Sequence, residues 1–253
     1  FTPTYGMYEV VAAINNVELI TQELSANFQI NLDELKPRLA ESSLKLILIC
    51  SPNNPTGNCI DENTIRKILD DFKGILLIDE AYIDFSPSKS LISLIDEYPN
   101  LIILRTMSKA WGLAAARIGM AVTNDKIVGY LNKVKPPYNI SLLNQLAAIN
   151  ALKNFQNYDL NIERINAQKL NLQKRLSKLD IIKNVYPSEA NFLLVEVENA
   201  NQLYQSLVKW KIIVRNRNEL VRNCLRITVG SEEENQYLIE NLKEIIDEES
   251  TIY

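Results

Sequence analysis

The feature that most constrains the fold is a series of short apolar runs in the first half of the chain, each followed by turn-forming or polar residues. They lie at residues 46–50, 75–78, 101–104 and 118–122. Apolar runs of this length predict buried strands. Residues 61–72 have helical periodicity with an acidic start, and residues 90–97 predict a second short helix. Strand, helix and strand at this spacing predict right-handed crossovers and a largely parallel sheet.

The second half of the chain has a different pattern. Residues 143–155 and 160–179 predict long helices rich in Leu, Asn, Gln, Lys and Arg. Strands are then predicted at residues 191–197, 212–214 and 224–229, and helices at residues 200–210 and 232–247. We therefore predict an α/β fold with two domains. Residues 1–141 form a mostly parallel sheet flanked by helices, and residues 142–253 form a connector helix and a smaller C-terminal α+β domain.

The charge pattern excludes several classes of function. The 253 residues include 27 basic and 31 acidic side chains, a net charge of −4, and the charges are interspersed. This pattern does not favour binding to nucleic acid or to an anionic membrane. No apolar run approaches the ~20 residues of a membrane span, and no signal peptide is visible. Small molecules and other protein chains are the expected partners.

The cysteine and histidine counts narrow the chemistry further. Cys50, Cys59 and Cys224 form no CxxC pair, which predicts reduced thiols in a cytoplasmic protein and no metal site. The chain contains no histidine. These residues therefore cannot build a Ser-His-Asp triad, a Cys-His pair or a histidine metal site. Catalytic proton transfer must use another group.

The loop after the first predicted strand reads Ser-Pro-Asn-Asn-Pro-Thr-Gly, residues 51–57. Such a cluster is by itself typical of a turn. Its position favours a function, because ligands of open parallel sheets lie outside the carboxyl ends of the strands. The side-chain amide of Asn54 is suited to donate a hydrogen bond to a ring oxygen.

The second loop, Asp-Glu-Ala-Tyr at residues 79–82, follows the run at residues 75–78. A carboxylate at the tip of a buried strand is costly unless it meets a cation. Asp79 therefore predicts either an ion pair with an arginine or a contact with a protonated ring nitrogen. The phenol of Tyr82, three residues later, is close enough to reach the same ligand.

The third loop contains Thr106, Ser108 and Lys109 and follows the run at residues 101–104, with Arg117 eight residues beyond the lysine. A lone lysine in a loop is usually solvated. Here two hydroxyl groups precede the lysine and an arginine follows it, a combination suited to holding a phosphate around an amine.

The three loops together describe one ligand. It needs a ring oxygen for Asn54 and Tyr82, a ring nitrogen for Asp79, a phosphate for the hydroxyls and arginine of the third loop, and an aldehyde for Lys109. Pyridoxal 5'-phosphate has all four groups, and a lysine Schiff base with an acidic partner for the pyridine nitrogen is its usual protein environment. We predict this cofactor, with Lys109 as the catalytic residue.

At these residues the sequence resembles the fold-type I pyridoxal-phosphate-dependent aminotransferases, and within them the histidinol-phosphate aminotransferases. The resemblance runs the whole length, from Pro-Thr-Tyr-Gly-Met-Tyr at residues 3–8 to Cys-Leu-Arg-Ile-Thr-Val-Gly at residues 224–230. It implies that Tyr5 stacks over the pyridine ring and that Lys109 moves a proton between substrate and cofactor. It also implies that Arg226 and Arg215 bind the substrate together with Asn54.

The assignment of the arginines has alternatives. Arg226 could instead pair with a glutamate such as Glu232 or Glu233. Arg217 and Arg222 lie close to Arg215 in sequence, and sequence alone leaves open which guanidinium points inward.

The resemblance implies amino-group transfer between L-histidinol phosphate and 2-oxoglutarate in histidine biosynthesis, by a homodimer. Three alternatives are an aromatic or broad-specificity aminotransferase, a decarboxylase of a phosphorylated amino acid with the same cofactor residues, and an inactive or ligand-binding relative. The intact Lys109 and the lack of a basic helix-turn-helix stretch disfavour the last. The family pattern normally begins upstream with a Gly-containing loop and a covering arm. Because the sequence starts at Phe1 without them, we expect a missing upstream segment.

Overall fold

A computed structural model describes residues 1–250 of the chain, with side chains described through Ile246. Two four-stranded sheets organise it, one in each half of the sequence. The first sheet has the order β1-β2-β3-β4. Its strands are β1 (Leu46–Cys50), β2 (Ile75–Asp79), β3 (Leu101–Thr106) and β4 (Gly119–Val122). The predicted strands are all present, and β1 to β3 are parallel as predicted.

The fourth strand departs from the prediction of a buried strand. β4 pairs antiparallel to β3 at the edge of the sheet, and Gly119, Met120 and Ala121 are exposed. An edge strand has only one neighbour, so its apolar side chains need not be covered on both faces. Ile118, just before the strand, is buried.

The first half also contains four α-helices, of which α2 and α3 contribute buried side chains to the core of the first sheet. They are α1 (Met7–Ile14), α2 (Leu32–Leu39), α3 (Glu62–Asp71) and α4 (Asp125–Val134). α3 matches the prediction: Asp61 caps it by accepting a hydrogen bond from the Thr64 N–H, and Ile65, Ile68 and Leu69 are buried. The helix predicted at residues 90–97 is only a 3₁₀ turn, Leu91–Leu94. α1, α2 and α4 were not predicted.

The second half contains two long helices and an antiparallel sheet of order β5-β6-β8-β7. Its elements are α5 (Leu142–Lys153), α6 (Phe155–Leu176), β5 (Ile182–Val185), β6 (Phe192–Val197), α7 (Ala200–Lys209), β7 (Arg215–Asn216), β8 (Cys224–Thr228) and α8 (Glu232–Ser250). The strand predicted at residues 212–214 is displaced, because pairing with β8 begins only at Arg215. β5 was not predicted, and residues 251–253 lie outside the described residues.

Each sheet has its own apolar core, and a third cluster joins the two halves. The first core includes Ile65, Leu76 and Ile103, and the second includes Leu176 and Leu193. The joining cluster consists of Tyr82, Phe85, Ala110, Ala190 and Phe192, with α6 side chains packed against it. Because both halves contribute to this cluster, the loops of the first sheet lie against the strands of the second.

Within residues 1–250, no helix is both long and apolar enough to cross a membrane. All three cysteines are free thiols, with Cys50 and Cys224 buried and Cys59 partly buried. Burial raises the pKa of the Cys50 thiol to about 12 and that of Cys59 to about 11.

Candidate active site

The three predicted loops lie at one edge of the first sheet. The loop at residues 51–57 follows β1, Asp79 ends β2, and Thr106 ends β3. In register, Cys50 lies opposite Asp79, and Asp79 lies opposite Leu104. Since the strands are parallel, their carboxyl ends meet at this edge, which is where open α/β sheets bind ligands.

Every residue of the loop at residues 51–57 is buried. Asn53 holds it: its Nδ2 donates to the Pro3 carbonyl and to Thr56 Oγ1, both at 2.8 Å, and its Oδ1 accepts from Thr4 Oγ1 at 2.7 Å. Thr56 Oγ1 in turn donates to Asn58 Oδ1 at 2.6 Å. A buried polar loop is stable only when its groups are paired in this way. The loop is therefore a fixed support, tied to the segment that carries Tyr5.

Asn54, which lies within this loop, contacts the second sheet. Its Oδ1 accepts a hydrogen bond from Arg226 Nη1 at 2.7 Å, although the two residues are 172 positions apart. The guanidinium carbon of Arg226, Cζ, lies over the ring of Phe192, 4.9 Å from its centroid. Among the described residues Arg226 forms no ion pair, so the alternative in which it pairs with Glu232 or Glu233 is not observed; its guanidinium instead contacts the loop at residues 51–57.

Asp79 is held by two donors. Tyr8, in the first turn of α1, donates from its hydroxyl to Asp79 Oδ2 at 2.7 Å, and the Ala81 N–H donates to Oδ1 at 3.0 Å. Burial, reinforced by the charges of Cys50 and Asp79, raises the pKa of Tyr8, so its hydroxyl remains a donor. In the described part of the chain Asp79 forms no ion pair.

Lys109 lies over the buried ring of Tyr82, with its Nζ 5.1 Å from the ring centroid. Desolvation of the ammonium group and the positive charge of Arg226 lower the pKa of Lys109; Tyr5 and Asp79 oppose this, and Arg117 adds to it. The amine therefore lies over one predicted site residue, Tyr82, and is within electrostatic range of four others. Burial raises the pKa of Tyr82, and the positive charge of Arg226 opposes that rise.

The other residues of the third loop differ in exposure: Thr106 and Ser108 are partly buried, whereas Arg117 is exposed, as is Lys109. Thr106 Oγ1 accepts from the Ser108 N–H at 3.0 Å and donates to the Ile118 carbonyl at 3.3 Å. Arg117 is exposed, has a left-handed backbone (φ 53°), and donates from Nη1 to the Ala114 carbonyl at 3.0 Å. Its guanidinium is thus held beside the loop by a local contact.

Two further predicted site residues are exposed: Tyr5, near the start of the chain, and Arg215, in the second sheet. Tyr5 is 45% exposed and packs edge-to-face against Tyr8, with ring centroids 5.6 Å apart. Arg215 is exposed on β7, whereas Arg217, two residues later, is partly buried. Arg222, the fourth arginine of this region, is exposed.

The sequence profile of the family described as aminotransferase class I and II matches residues 1–242. The chain belongs to this family. The match spans both sheets, so the cofactor loops of the first half and the arginines of the second half belong to one aminotransferase unit.

Individual relatives agree with this membership. The histidinol-phosphate aminotransferase of Cytophaga hutchinsonii is 46% identical over 243 residues, covering 95% of this chain and 70% of that protein. That of Parabacteroides distasonis is 45% identical over 244 residues, covering 96% and 70%. The crystal structure of the histidinol-phosphate aminotransferase from Clostridium acetobutylicum has a TM-score of 0.91 at 28% identity, covering 98% of this chain and 77% of that one.

The sequence analysis of this aminotransferase did not single out Tyr8. This residue lies in the quoted motif at residues 3–8, but no local pattern marks its contact with Asp79, 71 residues away. Arg217 was considered only as an alternative to Arg215. Its position on the same strand face as Arg215 could have been inferred from the two-residue spacing, had the strand been placed correctly.

Proposed function

We propose that this aminotransferase uses pyridoxal 5'-phosphate to move an amino group between L-histidinol phosphate and 2-oxoglutarate, in histidine biosynthesis. The observation that carries the proposal is the meeting of Lys109, Asn54 and Tyr82 with Arg226, so that the predicted cofactor groups and a predicted substrate arginine share one site. Relatives named histidinol-phosphate aminotransferase, at 42–46% identity, support this choice of substrate.

The donors and acceptors of the site fit the cofactor. Asp79 is a half-buried carboxylate whose two contacts are neutral donors, which suits a protonated ring nitrogen. Arg226 has a buried Nε without a hydrogen-bond partner in the described part of the chain, which suits an anion. Lys109 forms no ion pair among the described residues, so its amine is available to an aldehyde.

The predicted residues would then share the binding of the cofactor. Asp79 would hold the ring nitrogen, Asn54 and Tyr82 the ring oxygen, and Tyr5 the ring face. The phosphate would be held by Thr106, Ser108 and Arg117. When bound, the cofactor supplies an electron-withdrawing ring and a carbon that links to amines.

The chain's own contribution to the chemistry is proton transfer and orientation. Lys109 Nζ would act as the base that takes the proton from the substrate carbon and delivers it to the cofactor carbon that links to amines; its lowered pKa makes the neutral amine more available near neutral pH. This requires no histidine. Asp79 keeps a proton at the ring nitrogen, and the Tyr8 hydroxyl keeps the carboxylate oriented. Arg226 and Arg215 would orient the substrate by its anionic group, because a guanidinium binds carboxylate or phosphate through paired N–H groups.

We propose a homodimer as the working form. Large apolar side chains are exposed on three helices: Val11 and Ile14 of α1, Val134 of α4, and Leu142, Leu143 and Leu146 of α5. In α5 only Ala148 is buried. Exposed apolar patches of this kind mark association surfaces. Light scattering on the wild type and on Leu143→Glu tests this, with a dimer that weakens in the variant as the expected result.

The functional test is an absorbance spectrum of the cofactor-loaded protein before and after L-histidinol phosphate is added. Lys109→Ala is the test variant, and Lys126→Ala, which removes an exposed lysine of α4, is the control. We expect a visible cofactor band in the wild type and the control only. The band should fade with L-histidinol phosphate and return with 2-oxoglutarate.

Other outcomes would correct specific parts of the proposal. If the band responds only to aromatic amino acids, the family assignment stands and the substrate is wrong. If carbon dioxide is released without amino-group transfer, the reaction is decarboxylation. If no band depends on Lys109, the assigned role of this lysine is wrong.

A further inference from the structure

We propose that Arg217 is an additional substrate-binding residue that contacts the phosphate of the amino donor. It would complete a site of three guanidinium groups with Arg226 and Arg215, selective for a dianion. This inference rests on the proposed function, since it names the group that selects the phosphorylated donor.

The strand register brings the three arginines to one face. Arg215 in β7 lies directly opposite Arg226 in β8, and the next pair is Asn216 with Leu225. The Arg217 N–H donates to the Cys224 carbonyl at 2.9 Å, which extends the pairing by one residue. Because side chains alternate along a strand, positions 215 and 217 project to the same side as position 226.

The three arginines differ in how deeply they are buried. Arg215 is exposed, whereas Arg217 and Arg226 are partly buried. Both of the latter have a buried Nε without a hydrogen-bond partner in the described part of the chain. Burying a charged donor without a partner is unfavourable. Arg226 offsets part of this cost through Asn54, but no side-chain acceptor contacts Arg217 within the described residues.

Arg105 shows what a structural arginine in this protein looks like. It is similarly enclosed, with 21% of its side chain exposed, and it pairs with two buried carboxylates, Glu80 and Asp84. Arg217 has no such pair among the described residues. A salt-bridging role therefore accounts for Arg105 and not for Arg217.

The electrostatic neighbours of Arg217 include Tyr82, a residue of the second loop. Burial and the positive charge of Arg215 lower the pKa of Arg217, while the Tyr82 phenol opposes this. Burial is also the main cause of the lowered pKa of Arg226; the Tyr82 phenol opposes it, and the positive charges of Arg217 and Arg215 add to it. Tyr82 therefore lies within electrostatic reach of both partly buried arginines, and it also lies under the amine of Lys109.

The three positively charged guanidinium groups repel one another, and an anion bound between them offsets this repulsion. A carboxylate carries one negative charge and can be held by a single guanidinium, whereas a phosphate monoester carries up to two and has three free oxygens. The additional guanidinium is therefore expected to strengthen binding of the phosphorylated amino donor more than that of the 2-oxo acid. This makes Arg217 a specificity-determining residue.

The test compares Arg217→Gln with Arg222→Gln in the cofactor-loaded protein. Arg222→Gln is the matched control, because it removes an exposed arginine from the same loop. The first measurement is kcat/KM for L-histidinol phosphate relative to L-histidinol. We expect Arg217→Gln to lower this ratio ~10- to 100-fold, the range for loss of a charge-assisted hydrogen bond, and Arg222→Gln to change it less than about twofold.

The second measurement is binding of inorganic phosphate by calorimetry to the same cofactor-loaded proteins. A bound cofactor occupies its own phosphate site, so the titration reports the arginine site. We expect weaker binding in Arg217→Gln and unchanged binding in Arg222→Gln. Arg217→Lys, which keeps the charge and removes the planar donor group, should fall between the wild type and Arg217→Gln.

The outcomes separate the inference from the proposed function. If the wild type does not prefer the phosphorylated donor, the proposed substrate is wrong, and the phosphate titration still decides whether Arg217 binds anions. If Arg217→Gln and Arg222→Gln behave alike in both measurements while the wild type prefers L-histidinol phosphate, the inference about Arg217 is overturned and the function stands.

Discussion

The two sheets contribute to the site in opposite ways. At the carboxyl edge of the first sheet, Asn53 and Thr56 are buried and hydrogen-bonded to their surroundings. On the face of the second sheet, Arg217 and Arg226 keep buried Nε atoms without partners in the described part of the chain. The Asn53 network is paired without a ligand and fixes the loop at residues 51–57, whereas the two arginines present donors that a bound anion would pair. The first network is thus expected to contribute mainly to stability, and the two arginines mainly to anion binding.

The largest expected effect comes from comparing two partly buried arginines. Arg105→Met should lower the free energy of unfolding by about 3 kcal/mol, because it leaves Glu80 and Asp84 buried without their cation. Arg217→Met should leave the stability of the cofactor-free protein unchanged or slightly higher, since it removes an unpaired charge. Urea unfolding of both variants measures the difference. An equal loss of stability would remove the contrast between the two sheets.

Asn53→Ala tests whether the first region is internally complete. Its side chain makes three hydrogen bonds, and truncation leaves Thr4, Thr56 and the Pro3 carbonyl without that partner. We expect a loss of roughly 2–3 kcal/mol in unfolding free energy. Asn27→Ala is the control, because Asn27 is exposed and its contact is local. A loss no larger than that of the control would mean that the loop does not depend on this network.

Tyr8→Phe tests the support of Asp79. Removing the hydroxyl takes away one of the two donors described for this carboxylate, so we expect cofactor affinity to fall by about tenfold, the lower end of the range for hydrogen bonds to charged groups. Tyr98→Phe is the matched control, because Tyr98 donates to Asp70 at 3.0 Å on an exposed surface. Equilibrium dialysis of the cofactor measures both. Equal affinity in the two variants would contradict a role for Tyr8 at the site.

The smallest expected effect is a shift in the pH dependence of cofactor capture by the cofactor-free protein. Capture requires the neutral amine of Lys109, so its rate should rise with pH as this lysine loses its proton. Arg226→Gln removes a positive charge that lowers the pKa of Lys109, and the rising part of the profile should therefore move to higher pH. Stopped-flow absorbance at a series of pH values measures this shift, with Arg222→Gln as the control. A shift to lower pH would contradict the electrostatic assignment.

The local sequence correctly predicted the elements whose structure depends on residues close in sequence. β1, β2 and β3 were predicted nearly to the residue because short apolar runs end abruptly in polar loops. β7 was misplaced because a two-residue edge strand has little periodicity of its own and is defined by its partner β8. α1 was missed because its residues, Met7–Ile14, are almost all apolar, so no alternation of apolar and polar positions marks a helix in the sequence.

The sequence by itself determined the order of the three loops that we propose bind the cofactor, and it excluded mechanisms based on a histidine of these residues. Each loop directly follows its strand, so its position depends on local pattern. Only the tertiary structure decided that Asn54 meets Arg226, 172 residues away, and that Tyr8 meets Asp79, 71 residues away. It also decided that Arg217 is more buried than Arg215. Such contacts depend on how the sheets pack and pair, and side chains distant in sequence carry no local signal of that packing.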